Sequence, residues 1–330
     1  MKLILVILLF IIQFSSFSQE DEKTPINKNK TDTAYIKDLS NKLDIKIYNI
    51  WKQTELTLTE LKTNKELQIK PNGTTNIGMS FNYKWMGLGI AFGMPLVNND
   101  DSIYGNTKRF DLQLNIYGRR MGADIYFQRY KGFYISNPSQ LVSWDKKTYP
   151  LLKNMQLIAA GASVYYFFNN KRFSYRAAFV RNEIQKKGDG SMILGAYYSL
   201  NSAYDDTGFK SEVLKDSLDS IFDIYSFVSN SYGISFGYTY TFVIAKRFFI
   251  NISLVSGIGI VQSKINTSEK SYKLKPKPAT RYIGRFALGY EHKNFYIGFT
   301  AYNIGSTYEY DYIKIEPKTG NIKLFFGKRF

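Results

Sequence analysis

From Phe110 to Tyr117 apolar and polar residues take turns: Phe110, Leu112, Leu114 and Ile116 against Asp111, Gln113, Asn115 and Tyr117. An extended backbone sends such sets to opposite faces, one toward an apolar surface and one toward a wet one. The pattern returns in Tyr232, Ile234, Phe236, Tyr238, Tyr240 and Phe242 against Gly233, Ser235, Gly237, Thr239 and Thr241, and it continues to Phe330. A soluble β-sandwich also alternates, because each strand there contributes one apolar face to a core. Its other face would not be expected to carry Asp111, Gln113, Asn115, Thr239, Thr241, Asn251 and Ser253 with glycines between them. The expectation is therefore all-β: a transmembrane, antiparallel, up-and-down β-barrel.

The N-terminus agrees with that reading. Met1-Lys2 precedes an apolar run from Leu3 to Ile12 and the small residues Ser15, Ser16 and Ser18, the layout of a secretory signal peptide rather than of a span of about twenty residues. Residues 1–18 are read as a cleaved signal peptide, 19–42 as a polar periplasmic tail, and 43–330 as the barrel. The 330 residues contain no cysteine, so neither a lipoprotein signal, nor a disulfide framework, nor a thiol-based site is available. Aromatic residues make up 17% of the chain, with 27 Tyr and 25 Phe, which suits a barrel with aromatic girdles at both membrane interfaces. The formal charge of +17 points to anionic neighbours. In a secreted barrel these are lipopolysaccharide phosphates and outer-membrane lipid, or an acidic ligand in the lumen, and not nucleic acid.

Along the chain, a first strand is expected from Leu43 to Leu61, with turn chemistry at Lys70-Pro71-Asn72-Gly73. Two staves meet at Trp85-Met86-Gly87, and Lys108 to Gly118 reverses into Ala123, Ile125 and Phe127 facing out with Asp124, Tyr126 and Gln128 facing in. Later staves are Met155 to Phe168, Met192 to Leu200, Tyr232 to Phe242, Phe248 to Ile260, Tyr282 to Tyr290, Phe295 to Tyr310 and Ile322 to Phe330. Short turns at Ile244 to Arg247 and Glu291 to Asn294 alternate with long loops such as Asn201 to Asn230 and Gln262 to Lys277, and with a medium loop at Asp311 to Asn321. In outer-membrane barrels the short turns are periplasmic and the long loops external. Both termini are then periplasmic in a Gram-negative cell, and about twelve strands result, within a range of about ten to fourteen.

One stretch departs from the strand pattern. Asn169 to Ser191, NNKRFSYRAAFVRNEIQKKGDGS, fits helical and extended spacing about equally, and strand parity leaves no room for a full crossing. An inward-folded segment is expected there. At this point the chain resembles a known family of outer-membrane barrels, domain of unknown function 4421. The likeness rests on Asp32-Thr33-Ala34-Tyr35-Ile36, Phe81-Asn82-Tyr83-Lys84-Trp85, Tyr117-Gly118-Arg119-Arg120, and Lys171 to Phe179 followed by Asn182-Glu183, Gln185-Lys186-Lys187 and Gly190-Ser191. The resemblance implies the barrel fold and its location, and no activity. The aromatic end at Phe330 is similar to the ends of bacterial barrels, which implies recognition by the barrel-assembly machinery.

The segment supplies the candidate site: Arg176, Arg181, Asn182, Glu183, Gln185 and Lys187, with Asp111 and Asp124 on the wall. Charges confined in a lumen need partners, so Arg176 and Arg181 are expected to take Glu183, Asp111 or Asp124, as a luminal constriction or an anion-binding site. A plug or a solvated turn is the plainer reading of the same charges. Catalysis is not expected. Barrel hydrolases and proteases resemble one another in needing His-Ser or Asp-His sets, and the single histidine, His292, falls in a tight turn. No metal-ligand pattern, phosphate loop or cofactor motif appears. The expected functions are a constricted channel, a binding barrel or a structural subunit with an envelope protein partner; a lipid-modifying or proteolytic barrel enzyme is the alternative.

Overall fold

The computed structural model describes residues 31–330 apart from 84–85, 94–99, 215–221 and 268–269. The signal-peptide reading and the first part of the tail lie outside those residues. In chain order the strands are β1 (Ile36–Asp38), β2 (Asp44–Glu60), β3 (Glu66–Lys70), β4 (Thr74–Tyr83), β5 (Met86–Gly93), β6 (Lys108–Tyr117), β7 (Met121–Ile135) and β8 (Leu151–Phe167). They continue with β9 (Glu183–Gln185), β10 (Asp189–Tyr204), β11 (Ile224–Ile244), β12 (Phe248–Thr267), β13 (Ser271–Lys273), β14 (Lys277–His292), β15 (Phe295–Glu309) and β16 (Ile313–Arg329). Two short helices are α1 (Asp101–Tyr104) and α2 (Tyr175–Phe179).

Ten strands close a ring in the order β2, β3, β7, β8, β10, β11, β12, β14, β15, β16, and β16 returns to β2 from Ile313↔Glu60 to Arg329↔Asp44. Every pairing is antiparallel. The all-β barrel read from the sequence is thus present as a ten-strand ring with extra strands. β4 and β5 extend the wall from the lower part of β2, and β6 lies on β7. Where β3 and β7 meet, only Ile69↔Ile135 and Lys70↔Tyr134 join them. β5 pairs only with β4 and β6 only with β7, and among the described residues no ladder connects β5 to β6.

The turn expected at Lys70 to Gly73 is not a reversal. The chain turns back at Leu61 to Lys65, where Asn64 takes a φ of 56°, and β3 and β4 then both run along β2. Pro71 has no N–H to give to the ladder, so the stave is interrupted rather than ended. The Asn72 side chain donates to Asp100 Oδ1 at 2.9 Å and to the Gly105 carbonyl at 3.0 Å, which ties the break to the α1 loop.

Strands extend further at the long-loop end than the alternation indicated, because the polarity of the wall inverts partway up. On β16, Ile322, Leu324 and Phe326 point outward and are exposed, whereas Ile313 and Ile315 point inward and are buried. β2 does the same, with Ile47 and Trp51 outside and Leu56 and Leu58 inside, and so does β12, where Ile258 and Ile260 outside give way to Val261 and Ile265 inside. A search for one unbroken apolar face stops at the crossover. Above it the inward apolar residues form a core with Leu67, Ile69, Phe133, Ile135, Leu157 and Tyr308, and Phe209, Leu214 and Phe222 of the 205–223 loop region join it. This core fills the barrel at the long-loop end.

A plugged lumen as the candidate binding site

At the opposite end, where the short turns lie, residues 169–188 leave the wall after β8 and return to it at β10. Asn169 anchors the departure: its side chain donates to Asp189 Oδ1 at 2.9 Å and to the Gly190 carbonyl at 2.8 Å. Ser174 caps α2 by accepting from the Ala177 N–H at 3.0 Å. Phe173, Tyr175, Ala177 and Ala178 are buried; Phe173 and Tyr175 pack on wall residues Tyr165, Phe167, Ile193, Val255 and Ile283, and Ala178 on Phe249 and Ala287. Apolar residues at near-helical spacing therefore make a plug, with its polar face toward the barrel end. Residues 32–42, from the segment read as a tail, complete it: β1 pairs with β9, and the Leu39 N–H donates to the Asn182 carbonyl at 3.0 Å.

Glu183 is the hub of the polar face and is fully buried. It accepts from Ser174 Oγ at 2.5 Å and pairs with Arg176 at 3.2 Å and with Arg119 of the β6–β7 turn at 3.3 Å. Arg119 reaches Asp38 of β1 at 3.0 Å as well. Burial alone would raise the Asp38 carboxyl, but the Ser40 hydrogen bonds and the charge of Arg119 outweigh it and hold the group below its ordinary value. Asn182 accepts from Arg176 Nε at 3.2 Å. The Gln185 side chain accepts from the Ser174 N–H at 2.9 Å and donates to the carbonyls of Arg172 and Lys187 at 2.6 and 2.9 Å. The Lys187 ammonium lies 5.4 Å from the Tyr35 ring centre.

Arg181 takes a φ of 77°, a left-handed turn that a non-glycine residue adopts at a cost of about 1 kcal/mol and that swings the chain from α2 into β9. Its guanidinium lies 4.1 Å from the Phe249 ring centre, donates to the Ala177 carbonyl and pairs with Glu291. Glu291 also receives Arg329 at 2.8 Å. The partners read from sequence therefore hold for Arg176 alone. Arg181 takes Glu291, whereas Asp124 pairs with Arg285 and accepts from the Tyr117 hydroxyl. Asp111 pairs with Lys52 at 2.9 Å and accepts from the Tyr130 hydroxyl at 2.8 Å. The eight candidates do not form one cluster. Six sit in the plug, and the two aspartates stand higher on the wall.

Sequence reading missed Arg119, Glu291, Arg329, Arg285, Arg281 and Lys52, all of which face the interior. Their parity could have revealed the β14 set: Arg281, Arg285 and Glu291 share the face of Ala279, Ile283 and Ala287, opposite Tyr282, Phe286, Leu288 and Tyr290. Between plug and mouth core, one cavity of about 30 Å³ is lined by residues including Thr54, Tyr126, Gln128, Ser199, Asn201 and Ser306. Among the described residues no group of acidic or histidine side chains is placed to hold a metal ion.

Among solved structures the chain is similar to the outer-membrane protease OmpT from Escherichia coli, with 9% identity, a TM-score of 0.37 and coverage of 89% of this chain and 98% of that one. It is similar to the toluene transporter TodX of P. putida, with 7% identity, a TM-score of 0.32 and coverage of 88% and 92%. It is also similar to the translocator domain of the autotransporter NalP from Neisseria meningitidis, with 8% identity, a TM-score of 0.33 and coverage of 97% and 96%. No curated protein sequence matches it. A family model, the domain of unknown function DUF4421, matches residues 30–330, the whole of the barrel and its plug, and the chain belongs to that family.

Proposed function

We propose that the chain is an outer-membrane β-barrel that is closed at rest, a constricted channel or binding barrel rather than an open pore. Its exposed outer row supports the membrane placement. On β12 that row runs from Phe248 to Ile260, about 40 Å of chain at about 3.4 Å per residue. A tilt of about 40° brings it to roughly 30 Å along the membrane normal, the thickness of the hydrocarbon core. With C-terminal Phe330 and the short turns on the periplasmic side, the inverted, apolar-cored end stands outside the cell.

The observation that carries the closed state is the plug, whose buried hub Glu183 binds it to itself through Arg176 and to the wall through Arg119. The N-terminal residues 32–42 add a strand to it, so an envelope partner acting on the N-terminal segment would act directly on the plug. Hydrolase chemistry has little support: His292 is exposed at the β14 end, 6.3 Å from the Tyr290 ring centre, and Asp100 and Asp101 hold Asn72.

Single-channel recording of the refolded barrel in a planar bilayer tests this. Wild type should pass no steady current, and Arg176→Ala plus Arg181→Ala should produce intermittent openings. A large steady conductance in wild type would overturn the closed barrel.

A further inference from the structure

Two arginines stand four residues apart on the inner face of β14, and only one is neutralised. Arg285 pairs with Asp124 and donates to the Tyr117 and Tyr175 hydroxyls at 2.6 and 2.9 Å. Arg281 is equally buried, at 5% exposure, yet no carboxylate lies within ion-pair reach of it among the described residues, and its Nε and Nη1 have no hydrogen-bond partner. Its guanidinium lies 4.6 Å from the ring centre of Tyr197. Such a contact is worth about 2 kcal/mol when desolvated, less than the several kcal/mol that burying a charge costs. An arginine cannot escape that cost by losing its proton.

The surroundings of Arg281 are built from hydroxyl donors. Arg281 lies opposite Gly257 on β12 and Ser306 on β15. Tyr197 crosses from β10 to reach this point, which the two glycines permit: a Cβ on Gly257 would stand 3.0 Å from its ring, and one on Gly259 would stand 2.7 Å from its hydroxyl. The register sets Tyr165 in the same inner row of the wall as Arg281, through Gly195, Ser235 and Gly257, and the hydroxyls of Tyr197 and Tyr165 are buried and unpartnered as well.

We propose that Arg281 is the centre of an internal site for a halide-sized inorganic anion, with the Tyr197 and Tyr165 hydroxyls as further donors. The site goes beyond the closed-barrel reading and does not depend on it, since the orphaned donors are the same whether or not the barrel conducts. An anion there replaces the carboxylate that Arg285 has and Arg281 lacks.

The test uses the barrel refolded in detergent with bromide titrated against gluconate at constant ionic strength. The unfolding midpoint of wild type should rise with bromide, and a bromide anomalous-scattering peak should appear beside Arg281 in crystals. Arg281→Gln should abolish both. If that variant does not refold, Tyr197→Phe, which removes one hydroxyl, should weaken bromide about tenfold. A bromide-independent midpoint with no anomalous peak would overturn the site, and so would equal stabilisation of wild type and either variant. Conductance is read separately, so an open pore and an empty site are distinguishable results.

Discussion

Arg329, on the last strand, donates from Nε and Nη2 to the main-chain carbonyl of Arg181 at 3.1 and 2.8 Å. The end of the chain thereby holds the left-handed turn of the plug. The same guanidinium grips Glu291, so one carboxylate serves two arginines that come from plug and wall.

Glu291→Gln should expose the weakness of that arrangement. It leaves two buried guanidinium groups without their anion, and breaking a buried pair costs about 3–5 kcal/mol. Denaturant unfolding in detergent should show a midpoint shift of that size, whereas neutralising the exposed pair partner Asp311, which meets Lys277, should leave the midpoint where it is in wild type.

The first strand should detach in acid. The Asp38 carboxyl lies below its ordinary value of 3.8 in the folded protein, so its contribution is complete above the unfolded value and is lost as pH falls through the lower, folded one. The protection of amides in residues 32–42, taken relative to the intrinsic exchange rate at each pH, should fall on acidification below about pH 4. Asp38→Asn should already exchange fast at neutral pH; equal protection in the variant would count against this latch.

Gly327→Ala and Gly284→Ala make a matched pair. A Cβ at Gly327 would fall 2.2 Å from the Tyr296 ring, which accounts for a glycine beneath a tyrosine that donates to Asp44 at 2.7 Å; at Gly284 the nearest atom is 3.9 Å away. The first substitution should cost about 1–3 kcal/mol and the second nearly nothing, as read from unfolding midpoints.

The mouth core makes a prediction that a uniform membrane barrel would not. Leu58 is fully buried on the inside of β2, and Leu58→Ala should destabilise by about 2–5 kcal/mol. Replacing an exposed residue on the outer face of the same strand, Gln53→Ser, should shift the unfolding midpoint far less.

The wall was legible where one physical rule governs a whole stretch. The faces of β6 and the facing of Asp124, Tyr126 and Gln128 follow from parity alone, and both ends of β2 fall within a residue of the alternation. The upper halves of β12 and β16 were not legible, because Val261 and Ile313 belong to an apolar core on the side that had been polar. The plug was legible as a departure and not as a shape. Its spacing fits two conformations, and the choice is made by β1, contributed from well over a hundred residues away. Partner choice in the site was least legible, since Glu291 reads as a turn residue until the plug brings Arg181 beneath it.

The inversion within single strands also guards the alignment of the wall. A one-residue slip turns every side chain to the wrong face, but a slip of two keeps the faces and in a uniformly greasy barrel would be nearly silent. In this chain such a slip would carry Leu56 or Val261 out of the apolar core, or bring an outward isoleucine such as Ile260 to the level where its neighbours have already crossed over. β2, β12 and β16 therefore carry a height mark as well as a polarity. The barrel accepts one vertical alignment because the apolar face changes sides along the same strand.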